Sequence, residues 1–416
     1  MAAVSPFDPV FKTRDGLAES FYVPAFRVES GSSAAAMGPL FNVQSVSCKE
    51  SVNQLGSFDL TVDAGDWAPN RGHYHLLPGD YVRVWMGYQG PIGLYVMVTG
   101  RVSSVTANFS ASGPRTLKVR GVSGFDRLRE APDANNRHSG RNRKPPVKYS
   151  NLVRDIAIKY EADSLVPAAV TSSEPAAERA GQNNETDMAF LVRLAQRRGY
   201  VVVFREFLPP PQPGTSRARH SSDHPKRSIY FGPSNLLDQA ILAQMGDRPR
   251  RLQLKWGFSL QDFRPAINVS SSLWKEVKVS FWDRKTKKKI PLSYKLDDLW
   301  GAEHGLNQDL FIASSNPAGF SAPTDQMATS DASDTPVDTR DEAIDLARAR
   351  LRENFLQMVT ADGTTVGLPE LRAASKVEVT GTGLLDGPYF LTSVTHSLDD
   401  NGYQTTFSAR REKVKA

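Results

Sequence analysis

Cys48 is the only cysteine in 416 residues. An intrachain disulfide is therefore excluded, and a cysteine-based metal cluster could form only by sharing ligands between chains. Long apolar runs are also missing: no stretch approaches the ~18 residues needed to span a bilayer. The N-terminus, MAAVSPFDPVFKTRDG, has no positive segment followed by an apolar core. Neither Sec export nor membrane insertion is expected, and synthesis inside the cell is. The signatures of common chemistries are absent too, with no Walker loop, no G-x-S-x-G elbow and no H-E-x-x-H.

The residues that could carry chemistry reduce to a few. His73 and His75, at i and i+2 in GHYH, could share a strand face and bind zinc with a third ligand, but the loop before Pro78 is rich in turn residues and no metal site is assigned. The pairs Asp297/Asp298 and Asp399/Asp400 invite comparison with glycosidase acids, which work ~5 to 10 Å apart across a sugar. Asp399 and Asp400 directly precede Asn401-Gly402, so turn formation already accounts for them. His396, alone on a strand, reads as a satisfied structural residue. No catalytic, cofactor-binding or metal residue is assigned, no cofactor is implied, and partner-binding residues stay unassigned.

A net charge of +6 and 23% charged residues belong to an ordinary globular chain. The basic excess gathers in three stretches, 137–148, 213–227 and 285–289. None interleaves aromatics with cations as single-strand binders do, and no recognition helix stands out, so nucleic-acid binding is a minor reading.

What the chain has in quantity is β pattern. From Ala25 to about Arg129 apolar and polar residues alternate, as in Val82, Val84, Met86 against Tyr81, Arg83, Trp85, and in Leu117, Val119 against Lys118, Arg120. This predicts a first β unit over 1–130. A basic, proline-containing linker or loop follows over 131–148. A middle α/β unit over 149–248 holds two helices. The first has Ser150 as N-cap with Leu152, Val153, Ile156 and Ala157 at helical spacing. The second is capped within Asn184 to Asp187, carries Met188, Leu191, Val192 and Ala195, and closes at Gly199. Strands Tyr200 to Phe204 and Ser228 to Phe231 complete it. The β pattern resumes over 249–416, opening with Val277, Val279 and Phe281. A mobile insertion is expected at about 302–338, where periodicity fails. A helix started by Thr339 and Glu342 comes next, then strands Lys376 to Thr380, Tyr389 to Leu398 and Tyr403 to Arg410, the last two joined by a type I′ turn at Asn401-Gly402.

One phrase occurs twice. VSSVTANFSASGPRT, from Val102 to Thr116, and LTSVTHSLDDNGYQT, from Leu391 to Thr405, agree at five of fifteen positions: Ser104/Ser393, Val105/Val394, Thr106/Thr395, Gly113/Gly402 and Thr116/Thr405. Either a β unit has been duplicated, or β-rich segments have reused the same residues by chance.

Several phrases in order, GRVSSVT with RTLKVRGVSGFDRLR, then NNETDMAFLVRLAQRRGYVVVF, VKVSFWDRKTKKKI and VEVTGTGLLDGPYFLTSVTHSLDDNGYQTTFSARR, resemble the hub proteins of contractile tails. These include the phage late control protein D family and the hub half of type VI secretion valine-glycine repeat proteins. The most specific elements are the acidic-then-apolar helix from Asp187 to Tyr200 and the closing hairpin from Gly402 to Thr405. The resemblance implies a mainly β chain with two tail-tube-like β-barrels per subunit and an intervening α/β domain, assembled as a pseudo-sixfold homotrimer. It implies a structural, non-enzymatic hub that adapts a sixfold inner tube to a threefold spike. Its partners would be other copies of itself, the inner tube protein above, a separate spike protein below and further baseplate proteins. Such a protein is made in the bacterial cytoplasm and resides in the baseplate of a phage tail or phage-tail-like particle. A peptidoglycan-cleaving tail enzyme and a basic nucleic-acid-binding protein are the alternatives. Neither explains the repeat.

Overall fold

A computed structural model describes residues 8–9, 23–34, 36–64, 76–89, 93–110, 113–130, 147–173, 181–182, 184–207, 225–247, 252–268, 273–283, 286–312, 327–332, 337 and 339–413. His73, His75, most of the 137–148 and 213–227 stretches and Lys285 lie outside these residues. The chain is mainly β, with large antiparallel sheets. No helix among the described residues is long and apolar enough to cross a membrane.

The first third is a run of strands: β1 (Asp8–Pro9), β2 (Pro24–Ser33), β3 (Ala36–Pro39), β4 (Val43–Ser51), β5 (Ser57–Asp63), β6 (Tyr81–Tyr88), β7 (Leu94–Asn108) and β8 (Thr116–Ser123). The alternation read from sequence decides the faces. Val82, Val84 and Met86 are fully buried, as are Leu117 and Val119, while Lys118 and Arg120 face solvent. The inward residues of β2, β4, β5, β6, β7 and β8 share one core, so the sheet curls around its own apolar face.

The middle third contains α1 (Tyr149–Lys159), β9 (Ala162–Leu165), α2 (Ala168–Ser173), α3 (Asp187–Arg198), β10 (Val201–Phe207), β11 (Lys226–Gly232) and α4 (Gln239–Gln244). β10 and β11 pair antiparallel with Val202 opposite Phe231, and β9 adds to β11 in parallel. α1 begins one residue before Ser150 and buries Leu152, Val153, Ile156 and Ala157. In α3 the Thr186 hydroxyl accepts the Ala189 N–H at 3.2 Å, and Gly199 ends the helix at φ 65°. The buried stripe of α3 is Phe190, Leu191, Leu194 and Ala195, so Met188 and Val192 sit at its margins.

The last third comprises β12 (Leu252–Lys255), β13 (Leu260–Ile267), β14 (Trp274–Asp283), β15 (Lys288–Lys295), α5 (Leu296–Ala302), α6 (Asp309–Ile312), β16 (Ala328–Asp331), α7 (Arg340–Leu356), β17 (Val359–Val366), β18 (Lys376–Thr380), β19 (Gly387–Asp399) and β20 (Gly402–Arg411). Two sequence expectations differ here. Val277, Val279 and Phe281 do not open a second large sheet, because among the described residues β14 pairs only with β15 and β16 and packs on α7. Of the stretch expected to be a mobile insertion, 313–326, 333–336 and 338 lie outside the described residues, and the remainder carries α6 and β16, with Leu306, Leu310, Met327, Ala332 and Val337 buried in the core. β16 has no alternating pattern of its own. It is fixed by parallel pairing to β14, a contact between residues about fifty positions apart that local periodicity cannot report.

The two β thirds have the same strand order. The first reads β2-β6-β7-β8-β5-β4, and the last reads β12-β18-β19-β20-β17-β13. One sense differs, since β2 runs antiparallel to β6 whereas β12 runs parallel to β18. The repeated phrase lies on equivalent hairpins. On β7 the register steps between Val102 and Ser104, leaving Ser103 as a bulge. On β19 it steps between Leu391 and Ser393, leaving Thr392. Each bulge hydroxyl donates to a facing carbonyl at 3.0 Å, Ser103 to Arg120 and Thr392 to Ser408. A shared bulge with a shared bond is hard to reach by reuse of β-forming residues.

Only the first half of the phrase is equivalent in space. Val105 faces Val119 and Val394 faces Phe407, so the return strand of the last hairpin is one residue shorter. Gly113/Gly402 and Thr116/Thr405 therefore match in sequence but not in position. The Asn401-Gly402 turn is also not type I′, which needs two residues with positive φ. Gly402 alone has it, at 107°, while the Asp399 carboxylate accepts the Asn401 N–H at 2.8 Å.

The two thirds form one sheet. β4 lies antiparallel to the second half of β19, with Cys48 opposite His396 and Val46 opposite Leu398.

Candidate functional site

The β4–β19 joint is where all three thirds meet, and a buried charge network marks it. Glu50 comes from the end of β4, Arg205 from β10, and Arg372 from the segment between β17 and β18. Arg205 donates to Glu50 at 2.8 Å, to Asp247 at 3.2 Å and to the Ala373 carbonyl at 2.6 Å. Arg372 donates through Nε to Glu50 at 2.9 Å and makes a second bond to its other oxygen. The same guanidinium reaches the Val96 and Met97 carbonyls at 3.3 and 3.2 Å, which fixes β7 to the network. Burial alone would raise the Glu50 carboxyl, but the Arg205 and Arg372 charges and the Arg372 bond overrule it and hold its pKa at about 2.

His396 sits beside this network and is fully buried. Its Nε2 donates to the Leu371 carbonyl at 2.8 Å, and Nδ1 accepts from the Tyr403 and Thr405 hydroxyls at 3.0 and 3.1 Å. Both nitrogens are satisfied in the neutral ring. Burial, then the nearby Arg372 charge, lower its pKa to about 4. The Cys48 thiol opposite is pushed up, first by burial and then by Glu50, so it is protonated and unreactive at neutral pH. The joint is therefore a structural clamp, with Glu50 held ionised between two guanidinium groups and His396 held neutral at pH 7.

The carboxylates singled out from sequence are structural as well. Asp298 accepts the Lys295 N–H at 2.9 Å and caps α5, with Asp297 in its first turn. Asp399 closes the β19–β20 turn, with Asp400 within it. No group of three potential metal ligands occurs among the described residues.

A groove of about 1160 Å³ runs between α3, α7 and the β17–β20 face, with Tyr200, Trp274 and Leu346 among its apolar lining. Gly199 lines it where α3 and α7 come close, since a Cβ there would lie 3.1 Å from Ala349 of α7. Of its carboxylates, Glu353 pairs with Arg410 at 3.2 Å and Asp362 accepts the Ser408 hydroxyl at 2.7 Å. Both carboxylates are thus bonded within the fold. The clamp residues Glu50, Arg205 and Arg372 were not singled out from sequence, since single charges hundreds of positions apart carry no motif.

No family model matches the chain, and no curated protein matches it by sequence. Solved structures do. A 43 kDa tail protein of prophage MuSo2 from Shewanella oneidensis is similar at TM-score 0.60 and 13% identity, covering 93% of this chain and 98% of that one. A tail protein from Neisseria meningitidis is similar at TM-score 0.59 and 14% identity, covering 94% and 97%. Prophage tail protein gp18 of Listeria monocytogenes is similar at TM-score 0.50 and 10% identity, covering 94% and 95%. The chain has the fold of phage tail proteins along nearly its whole length.

Proposed function

We propose that this chain is the structural hub of a contractile phage tail or a phage-tail-like injection particle, joining a sixfold inner tube to a threefold spike at the centre of the baseplate. The observation that carries this reading is the duplicated β unit with its shared bulge. A chain with two like units generates six like positions from three copies, so a homotrimer can meet a sixfold partner on one side and a threefold partner on the other. The likeness to tail proteins, and a joint built from a sheet ladder and a clamp in place of a reactive centre, support the same reading. On this reading the units are tube-like barrels, 1–130 and 249–416, separated by the α/β unit at 149–248. Binding strength then comes from β interfaces with the tube, the spike and other baseplate proteins, with no cofactor and no catalysis.

Light scattering on a sizing column, with the chain alone and with the particle's spike protein, tests this. A stable three-copy species, alone or with spike, is the expected result. A single copy under both conditions overturns it and returns a peptidoglycan-cleaving role to first place.

A further inference from the structure

We infer that copies of this chain join edge to edge, β13 of one copy pairing with residues 104–109 at the end of β7 in the next. The contact repeats between chains the β4–β19 joint found within one. This names the contact by which the hub reading assembles, and it rests on that reading only for the number of copies.

The argument starts from an asymmetry. β18 covers only the first residues of β19, and β4 covers the rest, from Ser393 to Leu398. β7 has the same form: β6 covers it from Leu94 to Arg101, and from Ser104 onward no strand lies on that side among the described residues. β13, in the position of β4, pairs with β17 on one side, and from Asp262 no described strand lies on the other. Among the described residues each chain thus holds one occupied joint and the two separated halves of a second.

Exposure follows the same division. Val394, His396 and Leu398 are buried, whereas their counterparts on β7 become steadily more open towards its end: Val105 is half-buried, and Ala107 and Phe109 are exposed. Leu398 is 8% exposed and inserts into the core of the first unit, while Phe109, at the same place in the repeated phrase, is 60% exposed. An aromatic ring in solvent, at the position where its counterpart enters a neighbouring core, is what an unoccupied joint leaves behind. On the other half, Phe263 and Ile267 already pack against the core of the last unit, ready to extend it.

The internal match also fixes the register. Val46 reaches Val105 through Leu60 and Val119, and Phe263 reaches Val394 through Gly363 and Phe407, so Val46 and Phe263 are equivalent. The pairs Leu398 with Val46 and Thr395 with Lys49 then become Phe109 opposite Phe263 and Thr106 opposite Ala266 of the next copy. Pro265 falls in the place of Cys48 and brings no N–H, so this ladder has one donor fewer. Because the two edges differ, the contact is head to tail, and with the three copies of the hub reading it closes into a ring.

Facing residues of antiparallel strands have Cα atoms ~4.5 to 5.5 Å apart, within disulfide range, and buried Cys48 does not compete. Thr106→Cys and Ala266→Cys are prepared as single variants, mixed and oxidised. The expected result is a covalent dimer from the mixture and none from either variant alone, with the double variant linking a whole ring. Ser104→Cys with Ala266→Cys, off register by two residues, gives little product. If light scattering shows an oligomer but the mixture gives no covalent dimer, the edge pairing is wrong while the hub reading stands. A single copy at every concentration, with and without spike, overturns both. Phe109→Asp supplies a second check: Tm of the isolated chain is unchanged and self-association weakens at least tenfold, whereas unchanged association removes Phe109 from the contact.

Discussion

Glu50 neutralises two buried guanidinium groups at once, which makes it the side chain whose loss costs most. With alanine there, Arg205 retains Asp247, but Arg372 is left with carbonyl partners only. Removing one partner of a buried pair costs roughly 3 to 5 kcal/mol. Glu50→Ala is expected to lower stability by about that much in urea unfolding at pH 7, against under 1 kcal/mol for exposed Asp59→Ala, whose partner Arg120 is also exposed. His396 supplies a pH dependence of definite sign. Its folded pKa of about 4 lies below the ordinary 6.5, so the unfolded chain binds the extra proton first. The stability it contributes is full above pH 6.5 and is lost as pH falls from 6.5 towards 4, by up to about 3 kcal/mol at 1.36 kcal/mol per pKa unit. His396→Gln, measured by Tm between pH 7 and pH 4.5, should show a visibly flatter decline. An unchanged slope would place the acid sensitivity elsewhere. Glu50 loses its contribution as pH falls from its ordinary pKa of 4.5 towards about 2, so the two windows overlap only near pH 4 to 4.5.

At the scale of elements, each bulge places one extra residue on the outer side of its strand and bends the strand there. Deleting Thr392 leaves an unbroken ladder in which Leu391, Ser393 and Val394 still face Ala409, Ser408 and Phe407, so Val394, His396 and Leu398 keep their cores and the variant is expected to fold, with the local bend and twist of the bulge lost. Thr392→Val keeps the bulge and loses only the bond to the Ser408 carbonyl, costing about 1 kcal/mol in urea unfolding. A deletion variant that fails to fold would show that the bend itself is required. The elements legible in the sequence were those with local signals. Thr186 and Gly199 bound α3, Thr339 accepts the Glu342 N–H at 3.2 Å to start α7, and β18 runs over the residues its alternation marked. Elements defined by distant partners were not. The edge of β16 depends on β14, the faces of α3 on what packs against it, and the repeat could be aligned only by residue type, which hid the one-residue difference in the return strand.

At the scale of the molecule, the β-rich class and the division into three stretches were legible, whereas the union of the outer two into one sheet was not. Val46 and Leu398 meet across some 350 residues, and no pattern near either announces it. That union has a thermodynamic consequence. A ladder from β4 to β19, a core that takes Leu398 and Tyr403 from the far end of the chain, and a clamp drawn from all three thirds couple units that could otherwise melt independently. Calorimetry of the intact chain is expected to give one cooperative transition. Arg372→Met removes the guanidinium that ties Glu50 to the β7 carbonyls while keeping an apolar stem of similar length. It should resolve the transition into at least two, with the lower one shifted down by several degrees, as a loss of a few kcal/mol does in units of this size. Two transitions in the unmodified chain, unaffected by Arg372→Met, would mean that the joint holds the units side by side without coupling their stability.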